Sequence, residues 1–131
     1  KAFSAPHRFD VVDVRDDREV QTWASAVLAD AGPPDLLINN AGLINTSGVL
    51  WKVPPDEFSD VIDVNVKGVM YGCKAALPPL IDAGGGNIIN IGSISGGLPN
   101  QGIVMYAATP SVTSTMIAMM STKNRRRSMK R

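Results

Sequence analysis

Residues 87–93 read Asn-Ile-Ile-Asn-Ile-Gly-Ser and residues 106–110 read Tyr-Ala-Ala-Thr-Pro. Asn87–Ile91 is a short, β-branched apolar run beside the glycines Gly84–Gly86. It is too short for a helix and predicts a buried strand. Ser93 comes just past the C-terminal end of that strand, at the sheet edge where open α/β folds bind ligands. Tyr106, thirteen positions on, opens a predicted helix. A hydroxyl at a strand end and a phenol on the next helix can converge on one substrate oxygen. Both can hydrogen-bond to it, and the phenol can pass a proton.

Upstream, Asp35–Asn39 (DLLIN) predicts a second strand, and Asn39-Asn40-Ala41-Gly42 follows at its end. Taken alone, that tetrapeptide suits an ordinary Asn-Gly turn. Arg8–Val14 (RFDVVDV) predicts a third strand of a parallel sheet, with Asp13 at its end. Asp13 or Asp16 could equally start the following helix, since Asp is a leading N-cap residue. That helix spans 17–31, where Val20, Trp23, Ala24, Val27, Leu28 and Ala31 recur at helical spacing. Asp16 with Glu19 gives a capping-box-like start, and Gly32-Pro33-Pro34 ends it. Trp23 reads as core. Pro54-Pro55 with Asp56 and Glu57 opens another helix. After Asn65-Val66-Lys67-Gly68, a further helix runs from Val69 toward Ala83, with Pro78 and Pro79 expected to kink or shorten it. Met70 and Cys73 read as core residues.

The 131 residues suffice for one small domain, and the apolar fraction of 44% is ordinary for a globular protein. No run of about eighteen apolar residues predicts a membrane span. The single Cys73 excludes an internal disulfide and fits a reducing, cytoplasmic setting. Net charge is +1, but the last nine residues hold six of the thirteen Lys and Arg. The body is therefore mildly acidic. The tail carries no aromatics and no second basic patch accompanies it, which weighs against nucleic-acid binding.

In order along the chain stand Asp13, Asn39–Gly42, Asn65 (28 positions before Ser93), Ser93 and Tyr106. This array resembles the short-chain dehydrogenase/reductase family over roughly residues 8–109. The resemblance implies an α/β fold, an incomplete Rossmann-like doubly wound parallel sheet in three layers, over residues 1–110. Residues 111–131 would form a divergent helical and basic tail. It further implies hydride transfer between NAD or NADP and a carbonyl or alcohol substrate, no metal, and a homo-oligomeric full-length parent. Asn65, Ser93 and Tyr106 would be catalytic. Asp13, Val14, Asn39, Ala41 and Gly42 would touch the cofactor, with the Asp accepting from the adenine amine and the next N–H donating to the ring.

Two departures bear on activity. The family places a lysine four residues after the tyrosine, and Pro110 stands there. In a helix its ring would press on the carbonyl of Tyr106 and offer it no N–H. Without a nearby ammonium, Tyr106 keeps a reference pKa of about 10, so roughly one in a thousand is ionised at pH 7. A shift of reading frame after Thr109 would account for both Pro110 and the basic tail. The family's glycine-rich phosphate loop is expected about fifty residues before Arg8, and only seven residues precede it here. In the sheet order 3-2-1-4-5, the strands between Arg8–Val14 and Asp35–Asn39 are then not part of this sequence. Open strand edges predict low stability or self-association of this polypeptide. The same open edge offers an alternative role, a non-catalytic interaction module.

Overall fold

A computed structural model describes residues 7–46 and 48–93. Helix α1 (Asp17–Ala31) leads into strand β1 (Leu36–Asn39). A short 3-10 turn (Leu50–Lys52) then precedes helix α2 (Pro55–Ile62), a π-helical stretch (Asp63–Gly68), helix α3 (Val69–Asp82) and strand β2 (Asn87–Asn90). Among the described residues the sheet is β1 and β2, parallel, with Leu36 opposite Asn87 and Asn39 opposite Asn90. The crossover between them is the long helical run α2–α3, as a parallel pair requires. No described helix is long and apolar enough to cross a membrane.

The α1 boundaries follow from its caps. Asp16 accepts at 2.8 Å from the N–H of Arg18 and at 3.1 Å from that of Glu19. Gly32, at φ +78°, donates its N–H to Leu28 O, a conformation that glycine adopts at no steric cost. The capping box is not reciprocal. Glu19 accepts from the N–H of Asp13 at 2.9 Å, while the Asp16 N–H goes to Asp13 O. The acid at the third position thus anchors the incoming chain to the helix.

Three expectations change. Arg8–Val14 joins no sheet among the described residues, Val14 falls in a turn, and Phe9 and Val11 are fully exposed. A strand needs a ladder partner for its N–H and C=O groups, and none of the described residues supplies one. The helices on either side of Asn65 are not separate. Helix α2 passes through the π-helical stretch directly into α3, so residues 55–82 form one continuous helical run. Pro78 and Pro79 do not end it, and α3 continues to Asp82. The carbonyls these prolines leave without donors belong to Lys74, which is exposed, and Ala75, which is half-buried. The last turn is held down by buried Leu80.

The core sits between the helices and one face of the sheet. Val20 of α1, Val61 of α2, and Val69, Cys73, Ala76 and Leu80 of α3 are buried. Burying a valine or leucine fully stabilises by about 1.5–3 kcal/mol, so this set is a small core. Cys73 is core as expected. Met70 is not, being 42% exposed on the outer side of α3. Trp23 is half-buried and gives its indole N–H to Asp10 at 3.0 Å. Sheet alternation is plain: Leu37, Asn39, Ile88 and Asn90 are half-buried, whereas Leu36, Ile38, Ile89 and Ile91 are exposed. Of three expected layers, the described residues thus supply the sheet and the helices over one face.

Helix α3 approaches β1 closely because Gly72 has no side chain. A Cβ there would collide with the Asn39 side chain. Asn39 lies beneath the helix, donating Nδ2 to Asn90 Oδ1 at 2.8 Å and touching Cys73 Sγ at 3.6 Å. Asn90 Nδ2 is buried without an acceptor among the described residues. Substituting Gly72→Ala should lower stability by about 1–3 kcal/mol through overpacking, despite alanine's better helix propensity. Urea unfolding followed by circular dichroism reads this as a lower midpoint, and an unchanged or higher midpoint would refute the close contact.

Candidate functional site

Because β1 and β2 run parallel and in register, both chains leave the sheet at the same edge. From β1 the chain continues as Asn40-Ala41-Gly42, all exposed. From β2 it continues as Ile91-Gly92-Ser93, with the Ile91 N–H donating to Asn39 O at 2.9 Å and Ser93 half-buried. Main-chain groups at such an edge are open to a ligand.

Asn65 reaches this edge from the π-helical stretch. It is 8% exposed, and its side chain bonds the main chain of Leu43 twice. Oδ1 accepts the Leu43 N–H at 2.7 Å, and Nδ2 donates to Leu43 O at 2.8 Å. One amide thus acts as a strand neighbour to a single loop residue. Further on, the Thr46 N–H donates to Glu57 of α2, and buried Asn45 gives Nδ2 to Thr46 O at 3.0 Å. The loop after β1 is therefore pinned to the helical run at more than one point. π-Helical turns are rare and cluster at functional sites, which suits Asn65's place in one.

Asp13 sits in the turn that precedes α1. Its carboxylate takes the Arg15 main-chain N–H at 2.9 Å and the Arg15 guanidinium at 2.8–3.1 Å. These bonds hold the carboxyl at about 2, below the usual 3.8. The neighbouring Val14 lies against Gly68, where an added Cβ would come within 3.1–3.2 Å of the valine side chain. Gly68 closes the π-helical stretch three residues after Asn65, so one segment seats both the Asp13 turn and the loop after β1. Val14, Asn39, Asn40, Ala41, Val64, Gly68 and Gly72 line a shared cavity of about 200 Å³.

Of the residues singled out from sequence, Asn39, Ala41, Gly42, Asn65 and Ser93 gather at the sheet edge. Val14 reaches the adjoining cavity, with Asp13 beside it. Tyr106, Pro110 and the tail lie outside the described residues. Sequence reasoning missed Arg15, Glu57, Gly68 and Gly72. Two glycines four apart within an apolar helix were the available signal for the last pair. No group of three or more His, Cys, Asp or Glu side chains that could hold a metal is found among the described residues. Cys73, whose thiol is pushed up by burial, is a packing residue.

Known proteins resemble this chain along most of its length. A family model described as short chain dehydrogenase matches residues 3–128, a range that includes Pro110 and most of the basic tail. The 2-(R)-hydroxypropyl-CoM dehydrogenase of Xanthobacter autotrophicus is 40% identical over 85 residues, which is 63% of this chain and 34% of that protein. An NADPH-dependent pterin aldehyde reductase of Arabidopsis thaliana is 33% identical over 90 residues, 69% of this chain and 37% of that one. Among solved structures, a gluconate 5-dehydrogenase from Burkholderia cenocepacia, in complex with NADP and tartrate, superposes with a TM-score of 0.81 at 32% identity. It covers 86% of this chain and 44% of its own. The chain thus spans less than half the length of each of these relatives. With the parallel sheet and the family match over residues 3–128 agreeing, the chain belongs to the short-chain dehydrogenase family.

Proposed function

We propose that this chain carries the adenosine-facing and substrate-facing parts of an NAD(P)-dependent oxidoreductase acting on a carbonyl or alcohol. The observation that supports this best is the pair of hydrogen bonds between the Asn65 side chain and the Leu43 main chain, which holds the exposed Asn40–Gly42 main chain at the edge where Ser93 also emerges. The residues present suit a dinucleotide's adenosine half. Asp13 offers an ionised acceptor to the adenine amine, and the open main chain of Asn40, Ala41 and Gly42 admits a ribose or nicotinamide. Bound NAD or NADP would supply the hydride chemistry. The chain's own residues handle the substrate oxygen. The Ser93 hydroxyl donates to it and steadies developing charge. The Tyr106 phenol gives the proton during reduction and takes it back during oxidation. Asn65 holds the floor of the site rather than touching substrate.

In this reading Pro110 weakens turnover. Reduction needs the neutral phenol and suffers less. Oxidation needs the phenolate, which no lysine at this position favours. A non-catalytic role as an interaction module is the second reading, supported by the exposed sheet face of Leu36, Ile38, Ile89 and Ile91. The cofactor and turnover experiments below separate the two readings.

NADH should bind with a saturable rise in fluorescence. Asn65→Leu, of similar volume but unable to hydrogen-bond, should weaken that binding about tenfold. A Pro110→Lys variant should gain carbonyl reduction, and adding Tyr106→Phe should abolish it. Absence of NADH binding, with no turnover in Pro110→Lys, would leave the interaction role standing. The pH dependence has a definite sign. Asp13 is depressed in the folded chain, so its contribution is complete above the unfolded value near 4 and fades as pH falls through about 2. Binding should therefore stay level from pH 7 to about pH 5, and a loss centred near pH 6 would contradict Asp13 as the acceptor.

A further inference from the structure

We infer that Arg15 is a positioning residue that aims the Asp13 carboxylate and so sets the preference for adenine over a 6-keto purine. The inference rests on the reading of Asp13 as the adenine acceptor. A carboxylate has about four acceptor sites. Asp13 Oδ1 takes the Arg15 main-chain N–H at 2.9 Å and Nε at 3.0 Å. Oδ2 takes Nη2 at 2.8 Å and shares Nε at 3.1 Å. That leaves about one free site, on Oδ2, and fixes the plane of the group. The fork itself is held from behind, because Arg15 Nη1 donates to Asp60 Oδ1 of α2 at 3.2 Å. The Asp13 main chain is held as well, its N–H on Glu19 and its carbonyl on the Asp16 N–H. Asp13 therefore has neither a free backbone nor a free side-chain rotor.

An adenine amine donates to the one remaining acceptor site. A 6-keto purine presents an oxygen lone pair there and is repelled. A bidentate guanidinium fixes this geometry in a way that an ammonium cannot, since lysine lacks the planar fork. Without the Arg15 guanidinium the carboxylate keeps only the main-chain N–H on Oδ1, Oδ2 is no longer aimed, and discrimination falls.

The test is calorimetric titration of the native 131-residue chain and its variants with adenosine and with inosine. The native chain should prefer adenosine about tenfold, as one hydrogen bond to a charged group allows. Arg15→Ala should cut the preference to about threefold or less, mostly by weakening adenosine. Arg15→Lys should behave like Arg15→Ala, while Asp60→Asn should lose less. Circular dichroism checks that each variant retains its helices, and Arg15→Gln replaces any that does not. Equal weakening of both nucleosides in Arg15→Ala would make Arg15 merely structural and overturn the inference, as would full preference in Arg15→Lys. If the native chain binds both purines alike and Asp13→Asn changes nothing, or binds neither, the Asp13 reading fails, and this inference with it.

Discussion

A single carboxamide organises the edge of the sheet where β1 and β2 end. Asn65 offers one donor and one acceptor in a plane, and Leu43 presents its N–H and C=O to match at 2.7 and 2.8 Å. A carboxamide supplies both from separate atoms of one planar group. Aspartate would lose the donor and leucine would lose both. The bonds are buried at Asn65, where an unmet polar group costs about 1–3 kcal/mol. Loop and helix are therefore mutually required: the loop needs a partner for its main chain, and the amide needs one for its side chain.

Gly68 and Gly72 make the surrounding contacts possible. Each glycine in a helix interior costs about 1 kcal/mol relative to alanine. The return is close approach, of the Val14 turn to Gly68 and of Asn39 to Gly72. They lie one helical turn apart on the run that also carries Asn65. The segment 65–72 is thus a ruler against which the turn holding Asp13, the end of β1 and the loop after it are all set. The small side chains here set position through close approach.

Much of this was legible in the residues. The helical spacing of Val20, Ala24, Val27 and Leu28, with Asp16 before and Gly32 after, located α1 to its observed ends. The two short apolar runs, Asp35–Asn39 and Asn87–Ile91, located β1 and β2 within a residue. What local pattern could not show was pairing. Arg8–Val14 has a strand's composition, yet a strand exists only where another chain accepts its hydrogen bonds, and none of the described residues does. The same limit hid the continuity of α2 and α3, since Asn, Lys and Gly at 65–68 read as a break while the π-helical geometry carries the chain through. Arg15 escaped notice because its role depends on an acid two residues back and another forty-five residues on. Asn39, Ala41, Gly42 and Ser93 could be placed at one sheet edge because each stands at or just past the end of a strand that its apolar run had already located.

Asn65 holds the loop after β1, and amide hydrogen exchange at Leu43 reads that bond directly. In the native chain the Leu43 N–H should exchange slowly although the residue is 42% exposed. In Asn65→Ala it should exchange at least about tenfold faster, as loss of a buried hydrogen bond allows, with the amide of Ile91, which donates to Asn39 O, unchanged. Equal protection of Leu43 in both proteins, or equal loss across the whole sheet, would contradict the claim that this carboxamide holds the loop after β1.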